Sequence, residues 1–239
     1  MKLELDYPRL VNRCAIAFVL LEIILFPLIQ IPPADISAVC SYLAIIFVGL
    51  FGFLCFGGDK DGHIIRIGLI FTLVADTFLV LLDDRLLEGV LSFIVVQACY
   101  FAYLVIREDR LKVRLLNIYS RIALMTVLVI AAFAVLGEDV DALAIASVIY
   151  YGNLIMNAVF AFARFKEEKI FAIGLVLFAM CDLCIGLDVL FDSYLNSDAL
   201  SGILSFPYLN VSWLFYQPSQ VLIALRLWQK VDKVGKKIA

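Results

Sequence analysis

The chain has 239 residues, 64% of them apolar, and a mean hydropathy of +1.02. Soluble domains average about 45–50% apolar residues, so this composition excludes an ordinary soluble protein. The net charge of −3 does not indicate a class of partner, and no nucleic-acid partner is expected. The composition predicts an integral membrane protein.

Eight apolar runs occupy almost the whole chain, and each has the roughly 20 residues that a membrane-spanning helix needs. They predict an all-α membrane protein with a single domain over residues 1–239 and eight transmembrane helices. The predicted spans cover residues 10–30, 36–56, 64–83, 86–106, 117–136, 142–163, 169–191 and 210–229. Helix breakers such as Pro32-Pro33 and Gly57-Gly58, and a longer segment from Asp192 to Asn210, separate them. The first run lacks a small-residue cleavage site and is expected to remain as a membrane anchor.

Basic residues predict the orientation of the helices. Every Lys and Arg except Arg85 falls at a terminus or in the second, fourth or sixth connection. Cytoplasmic loops carry an excess of Lys and Arg, so both termini are predicted to be cytoplasmic. A compact chain without targeting extensions favours the bacterial cytoplasmic membrane.

Two of the predicted spans resemble each other and carry an aspartate near the middle. Asp76 follows Gly68 by eight residues, and Asp182 follows Gly174 by eight residues. The likeness suggests a parallel four-plus-four internal repeat. Ionisable side chains inside a membrane are costly and mark functional sites. Asp76 and Asp182 are therefore the candidate catalytic residues.

Further polar residues are predicted at a similar depth. With a rise of 1.5 Å per residue, Asp76, Asp182 and Glu22 lie roughly 18–20 Å from the cytoplasmic edge. Intramembrane polar groups turn towards the bundle interior, which predicts a shared polar pocket. Besides Glu22, its candidate substrate-binding residues are Thr72, Gln97, Tyr100, Tyr150, Asn153, Tyr216 and Gln220. Some of them can instead serve only as hydrogen bonds between helices.

A pair of carboxyl groups in a low-dielectric site supplies a general acid and a general base. Such a pair needs no metal or cofactor, and none is predicted; the only histidine, His63, lies in a polar loop. Cys181 and Cys184 have the C-x-x-C spacing but no further ligands nearby. The pair suits protonation of an acid-labile bond such as a vinyl ether, or equally proton shuttling in a transporter.

Four motifs resemble those of the lysoplasmalogenase (YhhN-like) membrane family. They are the run from Thr72 to Leu79 followed by Gly89 and Phe93, Tyr150 with Met156, Gly174 to Asp182, and Tyr216 to Ile223. The resemblance implies an eight-helix hydrolase that cleaves the vinyl ether of lysoplasmalogens to a fatty aldehyde and glycerophosphoethanolamine or glycerophosphocholine. It also implies that the family's two motif aspartates fall on Asp76 and Asp182. The expected partners are a lysophospholipid substrate and membrane lipids.

The chain departs from the family pattern at several positions. Gln97 stands where members often have a histidine, Ala75 replaces a glycine, and Cys181 replaces a serine. The Lys-Pro pair common in the second span is absent. These departures imply a divergent member with an altered substrate. Alternatively, the protein does not cleave lipid and instead binds it or transports it together with protons. A scaffold whose aspartates serve only packing is the third alternative.

Overall fold

The computed structural model describes residues 2–30, 34–56, 60–82, 84–189 and 210–238. These residues form eight helices, without a β-strand among them. The helices are α1 (Lys2–Gln30), α2 (Ala34–Leu54), α3 (Lys60–Asp76), α4 (Leu86–Ile106), α5 (Leu111–Leu136), α6 (Ala142–Ala163), α7 (Phe165–Val189) and α8 (Val211–Ile238). The predicted breakers at Pro32-Pro33 and Gly57-Gly58, and most of the 192–210 segment, lie outside the described residues.

Two short irregular helices interrupt the regular pattern. A π-helical segment, Thr77–Leu82, continues α3 directly after Asp76, and a 3₁₀ turn, Gly137–Asp139, follows α5. Helix α7 is kinked at Glu168. Residues 64–82 of the predicted span therefore form one continuous helix, whose winding changes after Asp76. Apolar periodicity does not reveal this change.

Seven of the helices, α1 to α7, are long and apolar enough to cross a membrane. The sequence prediction is confirmed for these helices. Helix α8 is less apolar because Gln217, Gln220 and Arg226 lie within it, and all three are buried. The eighth crossing stays a prediction, as do the cytoplasmic termini, the internal repeat and the single domain over residues 1–239.

The helices pack as a closed ring with one helix outside it. Each helix contacts the next in the order α1, α2, α3, α4, α6, α7 and α8, and α8 contacts α1 to close the ring. Helix α8 also contacts α2 and α3. Helix α5 packs mainly on α6 and stays outside the ring. Only three of its residues, Asn117, Arg121 and Ala132, are buried. All seven helices of the ring contribute buried residues to its interior.

The two glycines of the repeated motif allow close helix contacts. A Cβ on Gly68 would lie 2.8 Å from the ring of Tyr100 in α4. A Cβ on Gly174 would lie 3.1 Å from the backbone oxygen of Ser219 in α8. Each glycine therefore allows its helix to approach a neighbouring helix closely. The contact lies about two turns before the aspartate of the same motif.

Candidate functional site

Asp76 is the last residue of α3 and points into the ring, where it is only 3% exposed. The hydroxyl of Tyr216 in α8 donates a hydrogen bond of 2.6 Å to its Oδ2. The π-helical segment begins at the next residue, where the Thr77 hydroxyl lies 2.9 Å from that of Tyr42. π-Helical turns occur frequently at functional sites. The winding change thus coincides with the first candidate carboxyl group.

Asp182 lies in the second half of α7 and has a tyrosine partner of the same kind. The hydroxyl of Tyr150 in α6 donates a hydrogen bond to its Oδ2. Asp182 is partly exposed, whereas Tyr150 is buried. Each candidate catalytic aspartate is therefore oriented by a tyrosine from a neighbouring helix.

Two phenylalanines join the Asp–Tyr pairs into one site. The Phe93 ring lies 5.4 Å from that of Tyr150 and 6.4 Å from that of Tyr216, measured between centroids. The Phe178 ring lies 6.5 Å and 5.4 Å from the same two rings. Asp76 and Asp182 are close enough to interact electrostatically. We call Asp76, Tyr216, Asp182 and Tyr150 the acidic site.

Three further predicted residues are buried next to the acidic site. Thr72 donates to the Gly68 carbonyl at 3.1 Å. Tyr100 is fully buried, with its ring 5.4 Å from that of Phe171. Gln220 is fully buried and bonds to Ser219 Oγ at 3.3 Å. Thr72 and Gln220 lie about one helical turn from the Asp–Tyr pair of α3 and α8, so these two residues form a polar layer beside the acidic site.

Glu22 lies on a different side of α8. Gln217 Nε2 donates to its Oε2 at 2.7 Å and to its backbone oxygen at 2.9 Å. Gln217 follows Tyr216 but points towards α1, since consecutive helical residues diverge by about 100°. The structure thus pairs Glu22 with Gln217 and joins it neither to Asp76 nor to Asp182 by a hydrogen bond among the described residues.

Asn153 and Gln97 belong to a cluster around Arg121 of α5. The Arg121 guanidinium donates to Asn153, to Asn117 Oδ1 and to Asn157 Oδ1 at 2.6–3.2 Å. Asn157 in turn donates to Gln97 Oε1 at 2.9 Å. The structure therefore binds Asn153 to a cation and does not place it on either aspartate. Sequence reasoning missed Arg121, which it assigned to the cytoplasmic edge.

A second unpredicted cluster lies at the end of the bundle that carries most basic residues. Glu168 at the kink of α7 is 1% exposed and accepts hydrogen bonds from Tyr103 (2.9 Å) and Arg226 (2.6 Å). Arg107 lies 2.8 Å from Glu168 and also donates to Asp61 at 3.1 Å. These ion pairs hold together the ends of α3, α4, α7 and α8. The signal in the sequence was a lone Arg226 within an apolar run.

The loop between α4 and α5 is also pinned by an ion pair. Arg110 donates to both carboxyl oxygens of Glu108, at 2.9 and 3.2 Å. This hydrogen bonding lowers the pKa of the Glu108 carboxyl to about 2. Glu108 therefore stays ionised at neutral pH and holds the loop at the start of α5.

All six cysteines are free thiols. Within the part of the chain that the structure describes, no three His, Cys, Asp or Glu side chains are arranged to hold a metal ion. Among the described residues, the acidic site thus offers two carboxyl groups and two phenolic hydroxyls, with the buried Cys181 thiol as a further hydrogen-bond partner of Asp182.

The helical ring and the acidic site within it define a polytopic membrane protein with a pair of carboxyl groups between its helices. The family model described as the YhhN family matches residues 37–227 of this chain. The chain belongs to the YhhN family, as its motifs predicted. No curated protein and no solved structure matches the chain.

Proposed function

We propose that this protein is a hydrolase of the lysoplasmalogenase type, which cleaves the vinyl ether bond of a lysoplasmalogen. Membership of the YhhN family supports a function of this kind. The observation that carries the proposal is the acidic site. It brings two carboxyl groups from α3 and α7 within electrostatic range and gives each a tyrosine partner.

The reaction follows from the chemistry of the bond. A protonated carboxyl group transfers its proton to the β-carbon of the vinyl ether, which produces an oxocarbenium ion. Glycosidases form a comparable cation between two carboxyl groups. Water then adds to the carbon next to oxygen while the ionised carboxyl group takes its proton. The resulting hemiacetal breaks into a fatty aldehyde and the glycerol hydroxyl, and the site ends with the same number of protons.

The two aspartates divide these roles, because two neighbouring carboxyl groups in a low-dielectric site do not both ionise. Titration belongs to the pair, so either aspartate can begin as the acid. Tyr216 and Tyr150 position the carboxyl groups, and the buried layer with Thr72 and Gln220 positions the headgroup or the water.

Aldehyde release from lysoplasmenylethanolamine by the purified protein tests the proposal. Asp76→Asn and Asp182→Asn each should lower the rate by about 10²- to 10⁴-fold, the usual contribution of a general acid or base. Asp35→Asn, at an exposed position in the first turn of α2, is the matched control and should retain full activity.

Full activity in either site variant would contradict the paired-carboxyl mechanism. A wild-type protein that retains lysophospholipid through purification, yet releases no aldehyde, would favour lipid binding or transport without cleavage.

A further inference from the structure

An open apolar groove runs along the outer, lipid-facing side of α6 and α7. The volume of this open groove is about 490 Å³. Its side chains are apolar apart from one tyrosine and include Ile155, Val159 and Phe162 from α6 and Val176, Met180 and Leu183 from α7. Most of them are more than a third exposed, so the groove opens towards the membrane.

The dimensions of the groove suit one hydrocarbon chain. Small-molecule pockets enclose roughly 300–1,000 Å³, a range that includes this groove. Along α6 it extends from Tyr151 to Phe162, which corresponds to about 16 Å at 1.5 Å per residue. An apolar groove of this length accepts an extended hydrocarbon chain, whereas a polar headgroup would lose its hydrogen bonds there.

One end of the groove lies beside the acidic site. Tyr151 and Leu183 line the groove and directly adjoin Tyr150 and Asp182 in the chain. The Tyr151 hydroxyl donates to the Ala179 backbone oxygen at 3.4 Å, and it lies within electrostatic range of Asp182. Asp182 is also the more exposed of the two candidate aspartates. The end of the groove at Tyr151 and Leu183 therefore lies at the height of Asp182, beside the partly exposed half of the site.

We propose that the α6–α7 groove binds the hydrocarbon chain of the lysolipid substrate, with the reacting end of the chain at Asp182. The proposal rests on the proposed function for the identity of the reacting bond. The tail extends from Asp182 along α6 towards Phe162, that is, towards the end of the bundle with the Glu168 ion pairs. The headgroup then lies on the opposite side of the site, which leaves the buried layer with Thr72 and Gln220 to position the water.

Photolabelling tests the groove without requiring turnover. The probe is an acyl lysophosphatidylethanolamine with a diazirine at the end of its chain, which has no vinyl ether and is not a substrate. In nanodiscs, the label is expected on the segments that line the groove, and unlabelled lysophosphatidylethanolamine should displace it. Val159→Trp, which fills the groove, should reduce labelling by at least about tenfold, as expected when two or more methylene groups lose their buried position.

Val39→Trp on α2 is the matched control. Val39 and Val159 are 56% and 53% exposed, so both substitutions add the same side chain to a lipid-facing position. Labelling of α6 and α7 should be unchanged in Val39→Trp. If unlabelled lysophosphatidylethanolamine does not displace the label, the groove proposal is overturned, because bulk lipid then fills the groove. Cross-linking of groove residues to a second copy of the chain would also overturn it.

Aldehyde release separates this proposal from the proposed function. Val159→Trp should raise KM for long alkenyl chains and leave it nearly unchanged for short ones. Displaceable label in the groove without aldehyde release supports the groove and contradicts the hydrolase. If the wild-type protein releases aldehyde, and Val159→Trp changes neither the dependence of KM on chain length nor the labelling, the hydrolase is supported and the groove is contradicted.

Discussion

At the scale of single residues, the acidic site depends on two hydroxyl groups. Tyr216 and Tyr150 approach their aspartates from α8 and α6, so each hydrogen bond crosses a helix interface. Phe93 and Phe178 fix the two tyrosine rings by edge and stacked contacts. The position of each carboxyl group is therefore set by a neighbouring helix as well as by its own.

Removal of the Tyr216 hydroxyl should impair catalysis and leave the fold intact. Tyr216→Phe is expected to lower kcat by roughly tenfold to a hundredfold, since a hydrogen bond to a charged group contributes about 1.5–3 kcal/mol. Tyr150→Phe should act in the same direction. The measurement is the initial rate of aldehyde release at saturating substrate.

Tyr7→Phe provides the comparison for both variants. Tyr7 donates to the Leu54 backbone oxygen at 2.8 Å, at the end of α2 and apart from the acidic site. It should show wild-type kcat. Equal losses in all three variants would mean that the tyrosines act through stability alone.

At the scale of helices, α5 is attached to the ring in an unusual way. Its buried side chains are mainly polar, because Asn117 and Arg121 face α6. The Arg121 guanidinium lies 4.4 Å above the Phe101 ring and, within the described ranges, forms no hydrogen bond to a carboxylate. Amide oxygens and an aromatic face compensate the buried charge. Arg121 therefore connects α5 to α6, and Asn157 extends the connection to α4.

Loss of Arg121 should loosen α5. Arg121→Ala leaves the oxygens of Asn117, Asn153 and Asn157 without their donor, and each unsatisfied buried group costs about 1–3 kcal/mol. The free energy of unfolding in detergent should fall by at least that amount. Lys112→Ala, at an exposed position on the same helix, should change it by less than about 0.5 kcal/mol. Higher stability in Arg121→Ala would show that desolvation of the charge outweighs its hydrogen bonds.

At the scale of the whole molecule, the ring has one end rich in ion pairs. Glu168 forms ion pairs with Arg226 and Arg107 there, and Arg107 also pairs with Asp61. These ion pairs connect four different helices. Helix α8 closes the ring and carries the buried polar residues that face Asp76 and Glu22. A helix with this composition is stable inside a membrane protein because its neighbours satisfy its polar groups.

Cysteine accessibility tests the topology that the basic residues predict. Asp109 lies at an exposed position in the connection before α5, and Glu138 at an exposed position in the connection after it. Each is replaced by cysteine, as Asp109→Cys and Glu138→Cys. In intact cells, a membrane-impermeant thiol reagent should modify Glu138→Cys and spare Asp109→Cys, which should react only after permeabilisation. The wild-type protein, with its six free cysteines, supplies the background.

Asn210→Cys extends the same experiment to α8. Asn210 is exposed immediately before that helix. If α8 crosses the membrane, Asn210→Cys should be modified in intact cells. A fluorescent protein fused to the C-terminus should then fluoresce, as expected on the cytoplasmic side. Protection of Asn210→Cys would contradict eight crossings.

Much of this architecture was predictable from sequence, and the failures have physical reasons. Helix existence follows from apolar length, because a membrane demands about 20 apolar residues per crossing. Helix bounds were less accurate: α5 begins at Leu111 instead of residue 117, which moves Arg121 ten residues into the helix. Arg121 therefore reaches Asn153, a residue predicted to bind substrate. An assignment based on charge alone could not distinguish a buried arginine from one at the membrane surface.

The sequence by itself determined the membrane class, seven of the eight predicted spans, the family and the two candidate aspartates, since apolar length and local motifs are encoded along the chain. Only the tertiary structure decided which side chains meet. Tyr216 lies 140 residues from Asp76, and its hydrogen bond exists because α8 packs against α3. The groove beside Asp182 likewise arises from the packing of α6 on α7. Contacts between distant helices depend on the packing of whole helix faces, and no local spacing in the sequence specifies them.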